Sequence, residues 1–106
     1  MEKIIWIVIA LLSGAILPIQ AGLNNKLARA GNNAAYASLI SFLVGVLALI
    51  LYIGFTTQQV QWKGFKELPM HAWAGGILGA FYVTVIVLVF PRIGPGLTFS
   101  LVIAGQ

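Results

Sequence analysis

The stretch AAYASLISFLVGVLALILYIGF, Ala34 to Phe55, holds 22 residues and not one charge. As a helix at about 1.5 Å per residue it is roughly 33 Å long. The hydrocarbon core of a bilayer is about 30 Å thick, so this stretch reads as a transmembrane helix. Working outward, two more apolar runs of spanning length appear, Ile4 to about Gln20 and Ala72 to Phe90. They would cover roughly 25 and 28 Å. A fourth run starts near Gly96 and reaches Gln106, 11 residues in all, enough for roughly 16 Å. A carboxylate halfway across the bilayer is costly, so the chain is expected to continue past Gln106. The reading is an all-α integral membrane helical bundle. It is a single domain, 1–106, with helices about 4–23, 34–55, 71–90 and 96–106, three full spans and the start of a fourth.

Composition supports that class. Of the 106 residues, 60% are apolar and 8% charged, and the mean hydropathy is +1.01. A soluble domain is about 45–50% apolar and about 25% charged, and a globule this small could not hide the excess. A soluble enzyme, a disordered tail and a disulfide scaffold are therefore excluded. With no cysteine there is no thiolate metal site. The first run could be a signal peptide, but Ile19-Gln20-Ala21 is a poor small-x-small cleavage site and three apolar runs follow. The six cations, Lys3, Lys26, Arg29, Lys63, Lys66 and Arg92, lie between the runs, as membrane-flanking residues do. They do not interleave with aromatics as in a nucleic-acid patch, so the partner is the lipid bilayer and not nucleic acid.

The connections carry turn chemistry. Asn24 to Asn33 reads as a polar turn, with Gly31 suited to a left-handed C-cap and Asn32 or Asn33 to an N-cap. Thr56 to Met70 is a long polar loop, with Trp62, His71 and Trp73 near its membrane edges. Pro91-Arg-Ile-Gly-Pro95 reads as a tight turn that stops a helix. This alternation puts Lys3, Lys63 and Lys66 on one side and Lys26, Arg29 and Arg92 on the other, three against three. The positive-inside rule then assigns no orientation. Either copies insert both ways and pair antiparallel, or a segment beyond residue 106 tips the balance.

Small residues recur at helical spacing: Ala10, Gly14, Pro18 and Gly22 in the first run, Ala34, Ser38, Ser41, Gly45 and Ala48 in the second, Gly75, Gly76, Gly79 and Ala80 in the third. Such stripes let helix backbones approach closely. Pro18 deprives the Gly14 carbonyl of its N–H partner, and interrupted helices often flank transporter sites. Gln20 and Asn24 are one turn apart on one face. Ser41, Tyr82 and Gln106 are polar groups expected within the membrane, and such groups should face an interface or cavity. No Asp, Glu, Lys, Arg or His lies inside a run, and no Ser/His/Asp set, metal spacing or phosphate-cradling loop occurs. Neither an enzyme nor a cofactor is expected. Gln20, Asn24, Ser41, Tyr82 and Gln106 are the candidate substrate-binding residues. Gly14, Pro18, Gly45, Gly75, Gly76 and Gly79 are the candidate kink and packing residues.

Four segments in order resemble one family. Gly14-Ala-Ile-Leu-Pro-Ile-Gln-Ala-Gly-Leu-Asn24 with Lys26-Leu-Ala is similar to the first-helix signature of the YdcZ-type inner-membrane exporters. Ser41-Phe-Leu-Val-Gly45, Trp73-Ala-Gly-Gly-Ile-Leu-Gly-Ala-Phe-Tyr-Val83 and Pro91-Arg-Ile-Gly-Pro through Ala104-Gly-Gln106 resemble its later helices. The resemblance implies membership of the drug/metabolite transporter superfamily, a multi-pass place in the bacterial inner membrane and a five-helix unit. It also implies pairing of two units, as an antiparallel homodimer or with a paralogue, to move a small molecule. The small multidrug-resistance branch relies on a carboxylate in the first helix. The stretch around Ser13 and Gly14 has none, so that branch's chemistry does not carry over. The expected function is half of a small-molecule exporter working by alternating access. The alternatives are a passive channel and a non-transporting assembly subunit.

Overall fold

The structure, a computed structural model, describes all residues 1–106. Three long helices cross back and forth: α1 (Glu2–Gly31), α2 (Ala34–Thr56) and α4 (Gly75–Gly105). Between α2 and α4 lie a short helix, α3 (Trp62–Lys66), and a 3-10 turn, Met70–Ala74. The three long helices each have the length and apolarity to span a membrane. There are no strands. The protein is an all-α membrane bundle in which α1, α2 and the first limb of α4 touch one another pairwise. The N-terminus and residues 57–74 share one end, here the loop side. The α1–α2 turn and the break in α4 share the other, the turn side.

Three boundaries differ from the sequence reading, each for a local reason. The first helix does not stop at residue 23. It continues through the expected polar turn to Gly31, because Lys26-Leu-Ala-Arg-Ala30 is a run of good helix formers. The left-handed C-cap falls on Asn32 (φ 53°) rather than Gly31, a conformation asparagine tolerates. Asn33 then caps α2, its side-chain oxygen accepting the Tyr36 N–H at 2.9 Å. The expected loop from Thr56 to Met70 contains α3, where Phe65 bridges Trp62 and Trp73 with ring centroids 5.8 and 5.9 Å away.

The third correction concerns the Pro91–Pro95 turn. Helix α4 passes through Pro91 and Arg92, and the break sits at Gly94 (φ 83°, ψ 163°). That conformation is open essentially to glycine alone. Pro95 follows as the first residue of the second limb, where a missing N–H costs nothing. Two hydroxyls then bond back one turn, Thr98 to the Gly94 carbonyl at 2.6 Å and Ser100 to the Gly96 carbonyl at 2.7 Å. The Thr98 hydroxyl thus bonds back to the carbonyl at the break itself.

Burial is concentrated at one level. The seven buried residues are Ala21 and Asn24 on α1, Ala37 and Ser38 on α2, and Ile86, Val87 and Thr98 on α4. All lie toward the turn side. Residues 2–20 of α1 and 46–56 of α2 are exposed throughout. Lipid tails are as apolar as these side chains, so packing and interhelical hydrogen bonds hold such a bundle rather than water exclusion. Ala21 and Ala37 are both buried, and side chains this small suit close helix approach. The Thr84 hydroxyl donates to the Ser38 hydroxyl at 2.9 Å, joining α4 to α2.

The small-residue stripes behave differently from expectation. Ala10, Gly14 and Pro18 are exposed, and a Cβ added at Gly14, Gly45, Gly75, Gly76 or Gly79 would meet nothing within 4 Å. Within one chain these glycines face open space, whereas Ser38 of the α2 stripe is buried.

Candidate functional site

Gln20 and Asn24 project from α1 one turn apart, at the level where the bundle is tightest. On the α4 side they share a cavity with Tyr82 and Phe99, one from each limb of α4. Leu17, Val83 and Ile86 supply apolar wall. The cavity holds about 20 Å³, room for roughly one water molecule. On the α2 side Gln20 and Asn24 line a second, open groove with Ser41, walled by Ile16, Leu23 and Val44. The two amides therefore stand between two partly open spaces, one on each side of α1.

Asn24 is the notable member. It is 4% exposed, and no side-chain hydrogen bond within the chain involves its amide. No side-chain nitrogen or oxygen is sealed away without a partner, so the amide reaches the adjoining space, where its two donors and its acceptor remain available. The only space beside it is the cavity and groove just described. Tyr82, 38% exposed, brings a ring and a phenol to the same cavity. Neither space has a charged residue in its wall. No group of His, Cys, Asp or Glu converges anywhere that could hold a metal. The arrangement can hydrogen-bond and stack. It offers no proton donor of carboxylic type and no nucleophile with an adjacent base.

The sequence candidates thus divide. Gln20, Asn24 and Tyr82 meet in one cavity, and Gln20, Asn24 and Ser41 in one groove. Gln106 is exposed at the end of α4 and lines neither space. Pro18 lies within α1, which runs through it as one helix. Sequence reasoning missed Thr84 and Thr98, and took Ser38 only as a small residue. The criterion used for Ser41, a hydroxyl within an apolar run, would have flagged all three.

A match to the family described as "Putative inner membrane exporter, YdcZ" covers residues 5–106. The chain belongs to that family. No curated protein and no solved structure matches it. As a YdcZ-family member the chain is a multi-pass inner-membrane protein of exporter type. The match takes in α1 almost from its start.

Proposed function

We propose that this YdcZ-family chain is one half of a small-molecule exporter, paired with a second copy in inverted orientation. Transport proceeds by alternating access across the shared interface. The solute passes Gln20, Asn24, Ser41 and Tyr82. The two amides offer hydrogen bonds in either sense, Ser41 a hydroxyl, and Tyr82 a stacking face and a phenol.

The observation that carries this reading is Asn24, a residue only 4% exposed whose amide has no partner in the chain and borders both the cavity and the groove. A residue retained there for packing alone would be better as leucine. Pairing is supported by the open groove, which a single chain leaves unsealed toward lipid. It is supported also by the glycines at 14, 75, 76 and 79, whose faces meet nothing within the chain. A small-residue face in lipid favours another helix. The balance of cations, three on each side, suits insertion in both orientations.

The test uses any solute whose export depends on the chain. At equal membrane expression, Asn24→Ala should lower export at least about tenfold, the loss of one buried hydrogen bond to the solute. Gln20→Ala and Tyr82→Phe should weaken it less. Gln59→Ala, in the loop, should leave it unchanged. Export untouched in all three cavity variants would remove the cavity from the path.

A further inference from the structure

On the turn side, above the Asn24 cavity, α1, α2 and α4 frame a second cleft of about 240 Å³. Arg29 and Arg92 line it from opposite helices, with Asn25, Asn32 and Asn33. It continues the same α1–α4 seam: Asn25 follows Asn24 directly, and Arg29 stands one turn beyond Asn25 on the same face. On α4, Ile86 borders the cavity and Val87 the cleft.

The electrostatics of this cleft are one-sided. Both acids of the chain, Glu2 and Glu67, belong to the loop side, where they share the surface with Lys3, Lys63 and Lys66. The turn side carries Lys26, Arg29 and Arg92 and no acid. Two guanidinium groups therefore face one concave space with no carboxylate to neutralise them. Both groups are exposed at the wall of this open cleft, where like charges repel and attract an anion. Arg92 donates to the Leu88 carbonyl of its own helix, which leaves most of its five N–H donors free. Arg29 makes no side-chain hydrogen bond. Asn33 uses its oxygen on the Tyr36 N–H, so its NH₂ group remains as a donor. Lys26, the third cation of this side, takes no part in the cleft wall. Border cations that serve only to meet headgroups need no shared concavity.

We propose that this cleft is an anion-recognising mouth, and that the exported solute carries a carboxylate or phosphate group. The planar guanidinium fork matches either group through paired N–H···O bonds. The uncharged remainder of the solute then faces Gln20, Asn24 and Tyr82. This deepens the exporter reading and rests on the Asn24 cavity lying on the solute's path. The same chemistry would hold the phosphate of an anionic lipid headgroup, and the experiment separates the two.

The whole chain, purified in dodecylmaltoside, is titrated with potassium phosphate and, at matched ionic strength, with potassium chloride. The midpoint of thermal unfolding is read at each point. Phosphate should raise the midpoint and chloride should not. In Arg29→Gln and in Arg92→Gln the concentration needed should rise at least about tenfold, as for loss of a charge-assisted pair. Arg29→Lys and Arg92→Lys keep the charge without the fork. They should fall between wild type and the glutamine variants, and they decide the matter if those variants do not fold. Lys63→Gln, on the loop side, should bind as wild type.

In parallel, retention of phosphatidylglycerol is measured by native mass spectrometry. Phosphate equal to chloride, or equally effective in all arginine variants, would overturn the proposal. So would phosphatidylglycerol held through both arginines and not displaced by phosphate, which would make the cleft a lipid site. A phosphate effect lost in the arginine variants while all three cavity variants export normally would overturn the shared path, leaving an anion site detached from it.

Discussion

The two ends of the bundle are built on different terms. Toward the turn side, Ala21, Asn24, Ala37, Ser38, Ile86, Val87 and Thr98 close on one another, and the Ser38–Thr84 hydrogen bond ties two helices. Toward the loop side the helices present whole apolar faces outward, Gly14, Gly75 and Gly76 among them, with no neighbour from the same chain. The contrast separates two kinds of small residue. Ala21 and Ala37 are small because a helix of the same chain lies against them. The glycines of the open half are small with nothing yet against them, and the pairing proposal assigns that place to a second unit.

Substitutions can sharpen or break this contrast. The largest effect is expected at the break in α4. Gly94→Ala forces a Cβ into a backbone conformation that costs about 1–3 kcal/mol, and unfolding of the reconstituted protein should show a loss of that size. Ala37→Leu, in the closed half, overpacks a contact and should cost a similar or smaller amount, about 1–3 kcal/mol. Ala10→Leu in the open half should stay within about 0.5 kcal/mol. Equal losses at 10 and 37 would mean that the two halves are packed alike. Asn33→Ala removes the cap of α2 and should cost about 1 kcal/mol. Thr84→Val deletes the hydrogen bond to Ser38, and the same unfolding assay should register only about 0.6 kcal/mol, the usual worth of such bonds in membranes.

The glycine faces give the smallest effect on one chain and a larger one on the pair. Gly76→Leu adds a side chain where the single chain has open space, so unfolding of the isolated chain should scarcely change. Chemical cross-linking between copies in the membrane should fall if Gly76 lies at the proposed interface. A cross-linking yield equal to wild type would move the interface elsewhere.

The spans were legible because their signal is bulk hydropathy over about 20 residues, which no tertiary contact is needed to interpret. The helix ends were less so. Proline at 91 looks like a stop, yet the helix runs through it and breaks only at Gly94, directly before Pro95. The polar composition of Asn24 to Asn33 suggested a turn, whereas Leu27, Ala28 and Ala30 keep the chain helical through Gly31. Within the site, the Gln20–Asn24 pair follows from spacing alone, because one helix turn brings them to one face. That Tyr82 joins them, and that Ser41 shares a groove with them instead, depends on how α1 packs between α2 and α4. Spacing within one helix does not carry that register. Gln106 shows the same limit from the other direction: an amide placed by depth alone ended at the exposed terminus of α4.

The central claim is that two copies pair in inverted orientation, and the absence of cysteine makes it directly measurable. A single Gln59→Cys substitution places one thiol in the loop between α2 and α3. Intact cells are labelled with a membrane-impermeant thiol reagent, and then again after permeabilisation. The account predicts that about half of the thiols react from outside and the remainder only after permeabilisation. Labelling of all or none from outside, in cells where this chain alone supports export, would contradict the inverted pair.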